Sequence, residues 1–588
     1  MASLNALMTG LSGLLSNTRR LDVIGNNIAN VNTTAFKANR AHFVPLYGLS
    51  GSMSGMMSSG GAGPMPASIG MGSVFSGMSR SWNQGPIAST GIATDMALDG
   101  TGFFLVSGGP VMRYTRDGTF LLDGAGNLVT RNGLQLQGWP VNANGTVVQT
   151  NTQGINIPLG TLTIAAATSA IAIGGTLNAA GKVATQGSNH LSQTFFLDAA
   201  MTQPAVGDED LTLTTLYIDD GTNTGVSIVA FDPADANRTL TLSGILKGGK
   251  PVPSQTFAIS ATPVAGAIAN GLTLNDFAAF VAASLGLDNT TVNGQSLGGG
   301  ASIVNGQLVV NGNEGTVQGL TLLQANVTVN GAAAGLANPF QFTEVSVADG
   351  ESIRTTIAVY NSLGNPALVD VTFVLEARNP DGSTVWQMLV ESNDPSVIPR
   401  VIQVGSVSFD GNGQLTGATN TAVTVPQGTP PNAGPGQGIT LNLSSAFGAL
   451  KALADSNSAI ATVTNDGAPP GTLSQFAVGP DGLIVGGFTN GLTRVLAQLA
   501  VARFANPDGL MELGDNQFGA SSHSGDPMVG TAGSLGLGRV VGGALEQANV
   551  ELAQEFVDMI QATTGFSAAS RVVTTADELL RNLLALGR

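Results

Sequence analysis

Large apolar residues recur at three- and four-residue steps at both ends of the chain. Near the start the series is Leu4, Leu7, Leu11, Leu14, Leu21 and Ile28, with Thr18 and Gly25 in its gaps. Near the end it is Leu552, Phe556, Met559, Phe566, Val573, Leu580 and Leu584. This spacing predicts two coiled-coil helices, over 3–33 and 545–586. A helix with one narrow apolar seam cannot bury it alone. The nearest partner for each is the other, and after that further copies of the chain. Ser3 is the expected N-cap and Gly587 the expected C′ residue. Gly10, Gly13 and Gly25 each weaken the first helix by up to about 1 kcal/mol relative to Ala. Thr563, Ser570 and Asp577 fall on the second seam, where polar residues set register at some cost in stability.

Between the ends the pattern turns to strands. Residues 98–148 read as short strands broken at Asp117-Gly118, Gly124 to Asn127 and Asn132-Gly133, which supply the positive φ that tight hairpins need. The same punctuation returns at Asp481-Gly482 and Asn490-Gly491. Residues 86–158 and 465–540 are therefore expected to form one split β-rich domain. Further strands are expected at Leu211–Ile218, Gly225–Phe231, Ser302–Val310, Thr321–Val329, Ile353–Tyr360, Leu368–Glu376, Val385–Val390 and Ser406–Phe409. One helix is expected at Asn275–Leu285, where Phe277, Phe280, Val281 and Leu285 share a face. The central block divides into an outer β domain (159–195 with 336–464) and an inserted outermost domain (196–335). Residues 43–85, rich in Gly, Ser and Met, read as a linker. The expected class is mainly β: a multi-domain chain whose terminal helices (1–42 with 541–588) form a coiled-coil core.

Charged residues are 10% of the 588, against about 25% in ordinary soluble proteins, and Gly numbers 80. Low charge lowers the desolvation cost of packing many copies together. The net charge of −16 offers no basic patch for nucleic acid. With no cysteine there is no disulfide or thiolate chemistry. No apolar run reaches the ~20 residues that span a bilayer, so no membrane partner is expected. The first residues lack the charged and apolar regions of a cleaved secretory signal, which implies another route if the protein leaves the cell.

Nothing in the chain reads as an active site. His42, His190 and His523 are scattered, without companions at metal-ligand spacing, and read as surface or linker positions. Gly244 to Lys250 (GILKGGK) has phosphate-loop spacing, but Pro251 stands where Ser or Thr would hold Mg²⁺. It reads as a chance turn. Asp410 to Gly413 (DGNG) lacks the Glu that closes an EF-hand loop. No catalytic residue, cofactor or metal is expected, and the chain does not read as an enzyme.

Three segments carry a family resemblance. GLSGLLSNTRRLDVIGNNIANVNTTAFKANR (10–40) resembles the N-terminal signature of the bacterial flagellar rod and hook axial proteins. LDGTGFFLV…YTRDGTFLLDGAGNLVTRNGLQLQGW resembles their β-domain motif, and 545–586 resembles their C-terminal helix. TTIAVYNSLGNPALVDVTFVL and FANPDGLMELGDNQFGASSHSGDPMVGTAGSLGLG place the chain nearest the hook branch. At 563–566 the chain has TTGF where the family more often has an Arg and a Tyr. The resemblance implies a structural subunit of the flagellar hook, outside the cell and attached to the basal body. It would polymerise into a flexible tube, a universal joint carrying motor torque from rod to filament. Implied partners are other copies, the hook cap, the distal rod, hook–filament junction proteins and the flagellar type III export apparatus. A distal rod subunit, a secreted β-rich adhesin and a surface hydrolase are the competing readings. The first lacks the large outer insertion, the second leaves the terminal seams unexplained, and no pocket carboxylate can be named for the third.

Overall fold

A computed structural model describes residues 2–48, 69–109, 111–142, 145–211, 216–219, 226–228, 238–330, 340–427, 434–445, 448–454 and 457–586. Among them strands predominate, with α-helices at α1 (Ala2–Ala29), α2 (Leu274–Leu285) and α3 (Leu552–Leu586). Residues 1–163 with 471–588 form one compact unit and 164–470 a second.

Both terminal helices are shorter than their apolar spacing suggests. α1 stops at Ala29, where side chains of the following Asn/Thr run make local bonds that compete with the helix ladder. Asn30 Nδ2 donates to the Asn26 carbonyl, and Thr33 Oγ1 donates to Asn30 Oδ1. Ser3 lies inside the helix rather than capping it, and Gly587 lies outside the described residues. α3 starts at Leu552, not 545. Ala544–Glu546 is a strand paired with Ile87–Ser89, and Ala544, Glu546 and Ala548 are buried at a period of two.

The expected linker is largely a hairpin. β1 (Asn39–Gly48) pairs antiparallel with β2 (Ile69–Arg80), with irregularities near His42 and Pro45. Residues 49–68, the richest in Gly and Ser, lie outside the described residues. The glycines of β2 hid its identity, because one of them serves contact rather than flexibility. A Cβ on Gly72, at φ +101°, would stand 1.7 Å from Ser12 Oγ of α1.

The remainder of the first unit interleaves the two arms of the chain. Strand Thr493–Arg503 pairs with Phe103–Ser107 and Gln135–Pro140 from the N-terminal arm, and with Leu483–Phe488 and Met528–Thr531 from its own. Met96–Asp99 pairs with Arg539–Gly542, and Met112–Thr115 with Gln517–Gly519. An aromatic cluster of Phe103, Tyr114, Phe504 and Phe518 joins both arms edge to face, with Tyr114 and Phe504 centroids 4.8 Å apart.

In the second unit a five-stranded antiparallel sheet runs Ser352–Tyr360, Pro366–Arg378, Thr384–Ser392, Val401–Phe409, Leu415–Ala418. With the sheet around Ala170–Asn178 it encloses Trp386, Phe373, Phe409 and Leu450. A separate cluster collects Phe195, Phe257, Phe277, Phe280 and Phe340 around α2. That helix opens on a capping box, Thr273 with Asp276, and ends on left-handed Gly286. Two expected strands are divided. Ser302–Val310 breaks at Asn305-Gly306, both with positive φ, and Thr321–Val329 breaks around a 3₁₀ turn at Gln324–Asn326. Of Leu211–Ile218 and Gly225–Phe231, the parts Leu216–Ile218 and Val226–Ile228 pair with each other. His190 is not at the surface but buried on strand Gly187–Leu191.

Glu376 is buried in this unit with Oε1 unpartnered. Burial, reinforced by the charge of Glu314, pushes it up to about 7 from an ordinary 4.5. Between those values the folded chain holds a proton that the unfolded chain has released. The stability from this site is therefore full below pH 4.5 and is lost as pH rises through about 7. Glu376→Gln removes that loss and stabilises the protein above neutral pH by about 2 kcal/mol. Calorimetry of the full chain across this pH range reads it, and an unchanged pH profile contradicts it.

Candidate assembly interface

α1 and α3 run antiparallel, and small and polar residues form the joint between them. A Cβ on Gly10 would meet Val573 Cγ2 at 2.8 Å, and one on Gly13 would meet Ala569 Cβ at 3.3 Å. A Cβ on Gly565 would meet Asn17 Oδ1 at 2.8 Å. Further along, Arg20 Nη2 donates to Asp558 Oδ1 at 2.8 Å, and Asn27 Nδ2 donates to Glu555 Oε1 at 3.0 Å. Gly10, Gly13, Asn17, Arg20, Ile24 and Asn27 keep the three-four spacing of a seam. On α3 the matching buried positions are Ala562 and Ala576, with Ala569 between them. These stand one residue before Thr563, Ser570 and Asp577.

Of the large apolar series, Val573 packs on Gly10, and its other described members are half-buried or exposed. Leu7, Leu14, Leu21, Ile28, Met559, Val573 and Leu580 are half-buried. Leu11, Leu552, Phe556 and Phe566 are exposed, by 45%, 40%, 50% and 41%. The side chains of Leu4 and Leu584 lie outside the described residues. Met8 and Leu15 on α1, and Val557, Ile560, Val572 and Leu579 on α3, are also exposed. The apolar spacing thus marks both helices correctly; within one chain Val573 of that series meets Gly10 in the joint, while Leu11, Leu552, Phe556 and Phe566 stay exposed. Sequence reading missed the joint because Gly and Ala carry little hydrophobic signal.

The hairpin covers another face of α1. Ser16 Oγ and Ser73 Oγ lie 3.0 Å apart, and Ser73 N donates to Ser12 Oγ at 3.3 Å. Asn27 also holds the base of the hairpin, exchanging bonds with the Asn39 backbone. The hairpin's own Val44, Leu46, Val74 and Met78 face solvent.

Where helices meet strands, a carboxylate is enclosed. Glu546 Oε1 accepts from Lys37 Nζ at 2.6 Å and from Gly85 N at 2.9 Å, while Oε2 accepts from Arg116 Nη1 at 3.3 Å. All three charged side chains are nearly or fully out of water. Burial pulls the Lys37 ammonium and the Arg116 guanidinium below their ordinary values, and Glu546 opposes both shifts. Lys37 Nζ also donates to the Asn83 carbonyl, and Ala35 N donates to the Glu546 carbonyl. One side chain thereby ties the exit of α1, the body of the β unit and the approach to α3.

Four family descriptions match the chain. "Flagella basal body rod protein" matches 7–37, "Flagellar hook protein FlgE/F/G D1 domain" 97–179, "Flagellar basal body protein FlaE D2 domain" 328–468, and "Flagellar basal body rod FlgEFG protein C-terminal" 541–586. The flagellar hook protein FlgE of Treponema pallidum is 27% identical over the whole of both chains. That of Helicobacter pylori strain J99 is 26% identical, covering 99% of this chain and all of its own. That of Salmonella typhimurium is 26% identical over 98% of each.

Glu546→Gln leaves two cations buried without their counter-ion and costs about 3 kcal/mol. Urea unfolding of the unpolymerised chain measures this, and a cost below about 0.5 kcal/mol, ordinary for a surface site, contradicts the role given to Glu546.

Proposed function

This chain belongs to the bacterial flagellar rod and hook protein family, and we propose that it is the structural subunit of the hook. The relatives it matches from end to end are named hook proteins, which favours the hook over the rod. The observation that carries the reading is the apolar ridge left uncovered on the paired helices. A joint built of Gly, Ala and polar residues holds α1 to α3 while Leu11, Leu15, Phe556 and Ile560 remain in water. Such a ridge calls for a partner of the same kind, and other copies of the chain supply it.

In this proposal the helix pairs of successive subunits pack side by side into the inner wall of a tube. Each buried Å² of apolar surface contributes ~25 cal/mol to that contact. The β regions form outer shells, with 196–335 outermost. Their low charge lets neighbouring faces slide between nearly equivalent contacts, so the tube bends while resisting twist. The finer expectations follow the resemblance: export through the type III apparatus, assembly beneath a cap, junctions with rod and filament, a position outside the cell, and no catalysis.

Leu11→Asp and Leu552→Asp each abolish tube formation, because a packed wall would bury an unpaired carboxylate. Both sites are exposed in the single chain, so unfolding of the monomer shifts by no more than about 0.5 kcal/mol. Electron microscopy and sedimentation read the outcome, and tubes at the normal yield would falsify the ridge as the assembly surface.

A further inference from the structure

The GILKGGK segment, dismissed as a phosphate loop, folds into a site of another kind. Leu246–Lys247 and Lys250–Pro251 are two short strands facing each other across Gly248-Gly249, both glycines at positive φ. No helix follows, so there is no nest for a nucleotide phosphate. The turn instead brings Lys247 and Lys250 to a cavity of about 10 Å³ that Arg354, Asp370, Glu391 and Arg400 also line. That volume holds one water-sized or monatomic occupant.

The charges around the cavity do not balance. Lys247 Nζ donates to Glu391 Oε1 at 2.8 Å and to the Leu285 and Gly286 carbonyls, both at 3.0 Å, at the C-terminus of α2. Lys250 Nζ donates to both oxygens of Asp370, at 2.6 and 2.7 Å, and to Thr356 Oγ1. The two carboxylates are thus hydrogen-bonded by the two lysines and make no direct pair with either arginine, although both lie near enough to favour the charged Arg400. Arg354 spends its Nη atoms on the Lys247 and Val317 carbonyls. Arg400 spends Nε on the Ser392 carbonyl and Nη2 on Asn393 Oδ1. Arg354 Nε and Arg400 Nη1 are buried without any partner, and Arg400 is only 3% exposed. Buried polar hydrogens left unpaired and charges left uncompensated are both costly. A water would satisfy the hydrogens but not the charge.

We propose that this cavity is a binding site for one small monovalent anion of halide size, held by the free N–H groups of Arg354 and Arg400. The anion clamps the Lys247–Lys250 turn to the five-stranded sheet that carries Arg354 and Glu391 and to Arg400, which stands just before its strand Val401–Phe409. It belongs to the interior of residues 164–470, so its failure leaves the hook assignment untouched. Burial pulls Lys247 down to about 8; Glu391 opposes the shift, and the Arg400 and Arg354 charges add to it. A bound anion offsets those arginine charges.

The test compares the full chain in sodium chloride, bromide, gluconate and phosphate at matched ionic strength. Chloride and bromide raise the thermal midpoint progressively with concentration, as binding to the folded state alone demands. Gluconate and phosphate, too large for the cavity, do not. The chloride-35 resonance is broadened by the wild-type chain, and Arg400→Lys, which keeps the charge but withdraws Nη1, loses most of that excess width. Equal midpoints in chloride and gluconate for the wild type, or equal broadening by wild type and variant, would mean that water fills the cavity. Because the wild-type comparison stands alone, a variant that fails to fold does not rescue the proposal.

Discussion

The first unit depends on one carboxylate held out of water. Glu546 receives Lys37 from the exit of α1 and Arg116 from the β unit, with the Gly85 amide completing its shell. An enclosed ion pair adds little net stability, since desolvation offsets most of its Coulomb attraction. What it does is penalise every other arrangement, because any register that separates the three groups strands a charge in an apolar setting. The directions in which α1 leaves and α3 begins are therefore set by chemistry within a few ångströms of one side chain.

That constraint gives the helix pair its division of labour. Small residues let α1 and α3 approach closely but bury little apolar area, so the pair is weakly stabilised by its own contacts. Most of the bulky residues stand aside from the joint and are half-buried or exposed. With only 10% charged residues, the chain carries little like-charge repulsion between surfaces of this kind.

Much of this was legible in the sequence, and the misses have physical causes. Helical spacing identified α1, α2 and α3, and Asp-Gly and Asn-Gly pairs marked many of the hairpins, because both signals are local. β2 was read as linker since its glycines resemble flexibility, and only the approach of Ser12 shows why Gly72 is there. The start of α3 was placed too early because Leu545 extends the apolar run into a strand. The joint between the helices escaped because hydrophobic patterning weighs Leu and Phe heavily and Gly and Ala hardly at all. Glu546, one of several acidic residues in an unremarkable stretch, carried no local mark of burial; its partners lie hundreds of positions away.

The interleaving of the two arms also governs how the molecule comes into being. Val501 sits opposite Phe104, and Met96 opposite Gly542, so neither arm can complete its sheet until nearly the whole polypeptide is present. Pairings this distant along the chain have a large loop-closure entropy to overcome and form slowly. Folding is thereby deferred by topology itself.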